Sequence, residues 1–300
     1  MGRVFKTFSL GLLTFWVSSS NGLTTNIRGR AVTPPVASGT DDVCKVQRDN
    51  TQGFPKLDLR GGFKKTQCNE IPTGNFEWYD YDEGQLTVTE KLQRKPASQF
   101  IGAPQSPMTA ENLFLDPPTS DKATCDHLVE LNIVKRAMEY GGFCDELATA
   151  VKTKSVDLTQ LWTTITKKIN NYKNLVYAEI TLEDQKTLVV KYNFDDEQNL
   201  NVGAAAGSDK TVSDKTAKRL QAVNDYLTKT QGKSKPAATS FDEAIENALP
   251  GKFVSTVKVA DLWNNALTTA DSLAAKYKHQ AGSSLSASGN GSTPVSAMIL

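Results

Sequence analysis

The clearest hydrophobic pattern in the chain runs through Leu158, Leu161, Trp162, Ile165 and Ile169. These recur at i, i+3, i+4, i+7 and i+11 and so share one face of a helix. Asp157 precedes the stripe as an N-cap, with Gln160 three residues on in the capping-box arrangement. Upstream, Leu128, Leu131, Val134, Ala137 and Met138 predict a helix over residues 123–140, ended by Gly141-Gly142. Downstream the period changes to two. Val176, Ala178, Ile180 and Leu182 share one face of a strand, and Leu188, Val190, Tyr192 and Phe194 share one face of another. With Glu183-Asp184-Gln185-Lys186 between them, residues 175–182 and 187–194 predict an antiparallel hairpin covered on at least one side.

The C-terminal third returns to helical spacing. Ser213 caps a helix with Leu220, Val223 and Leu227 inward, and residues 232–236 (GKSKP) are expected to break it. Ser240 caps a short helix to Leu249, stopped by Pro250-Gly251. Residues 258–277 are expected to form the longest helix, with Val259, Leu262, Trp263, Ala266, Leu267, Ala270, Leu273 and Tyr277 as its stripe. Before residue 121 the apolar residues come in short pieces. Phe76-Glu77-Trp78-Tyr79 and Leu86-Thr87-Val88-Thr89 predict two strands around a turn at Glu83-Gly84, and prolines at 96, 104, 107, 117 and 118 mark loop.

The expected fold is therefore α+β, with helices packed on a small antiparallel sheet. Residues 121–279 form the expected core domain and residues 43–120 an irregular, Pro-rich, disulfide-held N-terminal extension. Residues 23–42 read as a flexible leader and residues 280–300 as a disordered Ser/Gly-rich tail. Residues 1–22 read as a signal peptide: Arg3 and Lys6 precede ten apolar residues (FSLGLLTFWV), and small or polar residues follow. No later stretch is long and apolar enough for a membrane span, so the mature chain is expected to have none. The tail TPVSAMIL at 293–300 is shorter than a glycolipid-anchor signal requires.

With 34 Lys+Arg against 33 Asp+Glu the net charge is +1, and it becomes −1 without Arg3 and Lys6. That balance excludes a strongly basic nucleic-acid binder. Cys44, Cys68, Cys125 and Cys144 are an even set behind a signal peptide, which points to two disulfides. Three connectivities are open; the sequential one, Cys44–Cys68 with Cys125–Cys144, is favoured for its short loops. With two histidines and no C-x-x-C, no metal site is expected, and no cofactor motif occurs. Asn290 heads the single glycosylation sequon.

Catalytic constellations are sparse. The best acidic cluster is Asp80, Asp82 and Glu83 beside Trp78, Tyr79 and Tyr81, the composition of a sugar-cleaving groove in which aromatics stack on rings and carboxylates share acid and base roles. Lys167-Lys168, Lys173 and Lys218-Arg219 read as polar helix faces rather than phosphate tracks.

Cys125 to Phe143, with Asn132, Arg136 and Gly142-Phe143, resembles a Cys…Asn…Arg…Gly-Leu/Phe helix of coccidian surface antigens. TLVVKYN at 187–193 is similar to a strand of that family. The resemblance implies a disulfide-bonded, membrane-anchored α-β-α sandwich. The expected function is a secreted, non-enzymatic protein acting at a cell or host interface, a surface antigen or effector with a host or cell-surface protein as partner. It would be extracellular, with attachment to a cell surface left open. The alternatives are a secreted hydrolase with a carboxylate site near Asp80 and Asp82, and a matrix protein of a secretory compartment.

Overall fold

The computed structural model describes residues 43–44, 58–63, 65–71, 76–82, 85–95, 108–116, 122–192 and 214–287. The expected signal peptide, the leader, Ser213 and Asn290 lie outside them. The elements are β1 (Phe76–Asp82), β2 (Gln85–Leu92), β3 (Met108–Thr109), the single turn α1 (Ala110–Leu113), β4 (Lys122–His127), α2 (Leu131–Tyr140), α3 (Phe143–Lys152), α4 (Leu158–Ile169), β5 (Leu175–Glu179), α5 (Ile180–Tyr192), α6 (Asp214–Ala248) and α7 (Val259–Ala287).

The fold is α+β. Five strands form one sheet in the order β2-β1-β5-β4-β3. β1 pairs antiparallel with β2 in the expected hairpin, and β5 pairs antiparallel with β4. The central pair β1 and β5 is parallel, so the sheet is mixed. The sheet crosses the boundary expected at residue 120: β1, β2 and β3 come from the stretch read as an irregular extension, and β4 and β5 from the stretch read as the core.

β5 explains why two cores exist. All five of its residues are buried, and alternation along a strand sends successive side chains to opposite faces. Val176 and Ala178 face the main core, built with Tyr79 and the helices α2 to α7. Leu175 and Tyr177 face a smaller aromatic layer with Phe76, Trp78, Leu113 and Phe114. The Tyr177 and Phe114 rings meet edge to face at 5.4 Å, a favoured arrangement for aromatic quadrupoles.

Each core contains one disulfide, and the pairing is nested: Cys44–Cys144 and Cys68–Cys125. This corrects the sequential expectation. Cys125 belongs to the aromatic layer and Cys144 to the helical core, so the sheet stands between the two residues expected to bond. The nested bridges span 100 and 57 residues. In the chain-entropy model loops of this size are worth about 4–5 kcal/mol each, against about 3 for the short loops expected.

Several local signals hold. The Asp157 carboxylate accepts from the Thr159 and Gln160 amides and starts α4. Gly142, at φ 87°, ends α2 in the left-handed region that glycine tolerates. Gly141 has a second reason to be glycine: a Cβ there would collide with Ser255 Oγ and the Ala137 carbonyl, where the loop before α7 docks.

Further expectations are corrected. Residues 122–127, expected to be helical, form β4; its last five residues are all buried, which marks a strand covered on both faces. Residues 180–192 are helix α5, not the return strand of a hairpin. Its buried positions Leu182, Lys186, Val189 and Val190 follow a helical period, and the Glu179 carboxylate accepts from the Leu182 amide and the Thr181 hydroxyl at the first turn. The segment resembling an antigen strand therefore lies in a helix as far as Tyr192.

α6 runs unbroken through residues 232–236 and Ser240, and at 35 residues it is longer than the 29-residue α7. An interior proline costs a helix about 3 kcal/mol. The flanking turns offset this by packing antiparallel on α7: Ala237 and Ala238 are buried, and Trp263 Nε1 donates to the buried Ser234 hydroxyl at 2.9 Å. The Asp242 carboxylate on α6 accepts from the Val259 and Ala260 amides and so caps α7 from a neighbouring helix. α7 continues to Ala287, into the stretch expected to be a disordered tail. Among the described residues no helix is long and apolar enough to cross a membrane.

Candidate functional site

Among the described residues, two places that gather polar chemistry stand out, one sealed and one open. The sealed one lies where β4, α2, α5 and α6 meet. The Lys186 ammonium, with no exposed surface, donates to both Asp126 carboxylate oxygens at 2.7 and 2.6 Å and to the His127 carbonyl at 2.6 Å. It also pairs with Glu130 at 2.9 Å. The Tyr226 hydroxyl donates to Asp126 at 2.6 Å, and the Thr187 hydroxyl to Glu130 at 3.1 Å. Burial alone would lower the Lys186 pKa, but Asp126 and Glu130 more than offset it and hold the ammonium above its ordinary value. Burial raises the nearby Glu183 carboxyl, and the Asp126 charge adds to the rise. A lysine held charged and fully coordinated is no nucleophile. The cluster is a buried ionic joint between sheet and helices.

His127 borders this joint. Its ring is buried, with Phe63 at 4.6 Å between centroids, and its Nε2 lies 2.8 Å from Asn170 Oδ1. Asn170 Nδ2 donates to the Leu59 carbonyl, so its Oδ1 is the acceptor and His127 Nε2 carries the hydrogen. Burial lowers the His127 pKa to about 4, and the neighbouring Lys186 charge adds to the fall. The imidazole is a neutral structural group, with no serine or cysteine nucleophile beside it among the contacts described.

The open place is a cavity of about 550 Å³, inside the range of about 300–1,000 Å³ typical of small-molecule sites. Its walls come from five stretches: Ile71, the start of β1 with Phe76 and Glu77, the start of β5 with Leu175 and Val176, the end of α4 with the turn after it, and the middle of α6 from Gly232 to Phe241. Phe76, Leu175, Val176, Ala237 and Phe241 are buried and give it an apolar floor. Lys168, Lys173 and Lys233 also line it.

Local structure fixes these groups. The turn after α4 is tied by three asparagines. Asn170 bonds His127 and Leu59, the Asn171 carboxamide accepts from the Lys173 amide at 3.0 Å, and Asn174 accepts from the Val129 amide and donates to the Ile169 carbonyl. Opposite the other wall, β2 carries one residue more than β1 between the Phe76↔Leu92 and Trp78↔Thr89 pairs, a bulge in which Lys91 has φ 61°. The bulge bends β2 where it pairs with the Phe76–Glu77 end of β1 that lines the cavity. Lys233 pairs with Glu77 at 2.7 Å, and Glu77 accepts from the Tyr79 hydroxyl at 2.5 Å. Burial raises the Glu77 pKa, but these two bonds outweigh it and leave the carboxyl below its ordinary value. Tyr79 in turn packs edge-on against Tyr226 at 5.0 Å, so the cavity rim and the ionic joint share one aromatic bridge.

The residues singled out in the sequence fare differently. Trp78 and Tyr79, read as candidate sugar platforms, are buried on opposite faces of the sheet and belong to separate cores. Asp80 is buried, with its carboxylate accepting from the Tyr81 amide at 2.8 Å. The Asp82 side chain and Glu83 lie outside the described residues. Of the basic positions, Lys168 and Lys173 meet at the cavity. The third lysine, Lys233, sits in the segment read as a helix break. The repeated asparagines of NNYKN at 170–174 were the available signal for a tied turn. Among the described residues no group of His, Cys, Asp and Glu is placed to hold a metal ion. Compared with protein-family models, with curated proteins and with solved structures, the chain matches none.

Proposed function

We propose that this chain is a secreted, non-enzymatic binding protein that acts at a cell or host interface, as a surface antigen or effector. One observation carries the reading. Among the described residues, Asp80, Asp126, His127 and Lys186, groups that catalysis would use, are buried in the interior, whereas the open cavity offers an apolar floor and a cationic rim, which suit capture rather than turnover. Two disulfides are compatible with an oxidising, extracellular setting. The aromatic residues that a hydrolase near Asp80 and Asp82 would need are consumed by the two cores, which favours the binding reading over that alternative.

The test is binding of the labelled, oxidised chain to intact candidate host cells, read by flow cytometry. Saturable binding that is lost when the disulfides are reduced supports the proposal. Folded protein that binds no cell type refutes the interface reading, and turnover of ester, peptide or glycoside substrates refutes the non-enzymatic one.

A further inference from the structure

We propose that the cavity between α4, α6 and the starts of β1 and β5 binds a single-chain amphiphile with one anionic headgroup. The apolar body lies against Phe76, Leu175, Ala237 and Phe241, and the head sits among Lys168, Lys173 and Lys233. The proposal rests on the binding-protein reading and names the ligand class for its cavity.

Charge sets the sign of the ligand. Three lysines line the cavity against one acidic residue, Glu77, and Glu77 is already held by Lys233 and the Tyr79 hydroxyl. Lys168 and Lys173 have no acidic partner among the described residues. An anion brought between them gains two charge-assisted contacts without breaking an existing ion pair. A cation would meet an excess of like charge. The floor sets the rest of the ligand, because a small hydrophilic anion would leave the buried aromatic and aliphatic surface uncovered.

The site is built before the ligand arrives. The asparagine-tied turn fixes the backbone that carries Lys173, and the disulfide-held sheet fixes Phe76 and Leu175. Preformed walls reduce the entropy lost on binding. Gly232 and Pro236 shape the remaining wall. A Cβ added at Gly232 meets nothing within 4 Å, so the helix presents open space there rather than a packed side chain. Pro236 has no N–H, so the Gly232 carbonyl has no donor at its usual position one turn on.

The experiment titrates the full chain, disulfides intact, with dodecanoate, dodecyl phosphate, dodecanol and dodecyltrimethylammonium, all below micelle-forming concentrations, by calorimetry. The expected result is one-to-one binding of at least one of the two anions, about tenfold or more tighter than dodecanol, with no binding of the cation. Comparing carboxylate with phosphate identifies which headgroup the lysines prefer. The Lys168→Gln/Lys173→Gln double variant should lower anion affinity about tenfold and leave dodecanol unchanged. Gly232→Leu should abolish binding of both anion and alcohol while thermal stability is retained, since leucine favours a helix over glycine. Equal affinity for dodecanol and the anions overturns the headgroup assignment. Anion binding that survives Gly232→Leu overturns the location. If natively folded protein binds none of the four probes, the cavity proposal fails while cell binding stands on its own assay. If the anions bind but no cell does, the interface reading fails and the cavity assignment holds.

Discussion

Acidification should unfold this protein in part through His127, and the size of the effect follows from its surroundings. In the unfolded chain a histidine titrates near 6.5, whereas burial among Phe63, Asn170 and the Lys186 joint lowers the folded value to about 4. Between those two values the unfolded state binds the extra proton, so stability rises with pH across that window and is level above it. The full difference corresponds to roughly 3 kcal/mol, of which about 2 is already lost at a pH of about 5. That is a large part of the ~5–15 kcal/mol typical of a folded domain. Urea unfolding followed by tryptophan fluorescence at a series of pH values, with disulfides intact, measures it. His127→Gln keeps a donor for Asn170 and does not titrate, so its stability should fall by about 2 kcal/mol less than wild type on going to a pH of about 5. Glu183 and Asp242, whose carboxyls burial raises, are stabilised in the folded state by protonation and oppose the trend, but they act equally in both proteins and cancel. Parallel curves for the two proteins would refute the assignment of a neutral, buried His127.

Three further outcomes are expected. Lys186→Met should cost about 3–5 kcal/mol in the same assay, because it strands the Asp126 and Glu130 carboxylates without their cation; a loss below about 1 kcal/mol would show that water reaches the joint. Digestion without reduction should release peptides linking Cys44 to Cys144 and Cys68 to Cys125, and a Cys125–Cys144 link would contradict the two-core arrangement. Asp157→Ala should destabilise by about 1 kcal/mol through loss of the α4 cap, with Asp157→Asn losing less.

Physical range separates what the sequence by itself determined from what only the tertiary structure decided. A cap, a turn and an amphipathic stripe are each made by neighbours in the chain. Asp157 with the stripe to Ile169, Gly142 at the end of α2, the β1–β2 hairpin, and the Val259-to-Tyr277 stripe of α7 could therefore be read directly. So could the α+β class, since it needs only the kinds of element and not their arrangement.

The misread segments are those whose local pattern fits two answers. Leu182 and Val190 satisfy a period of two and also a helical period. The choice fell to Lys186, which the sequence places in a polar turn and the structure buries against Asp126, a partner 60 residues away. Residues 122–127 became a strand because β5 and β3 were there to pair with them. α6 survives Pro236 because α7 packs along it. The disulfide pairing and the cavity belong wholly to this second group. Cys68 and Cys125 meet on one face of a sheet, and Lys168, Lys173 and Lys233 line one cavity whose walls come from distant parts of the chain. The free energy of such contacts depends on which surfaces the folded chain brings together, and no local window of sequence contains that information.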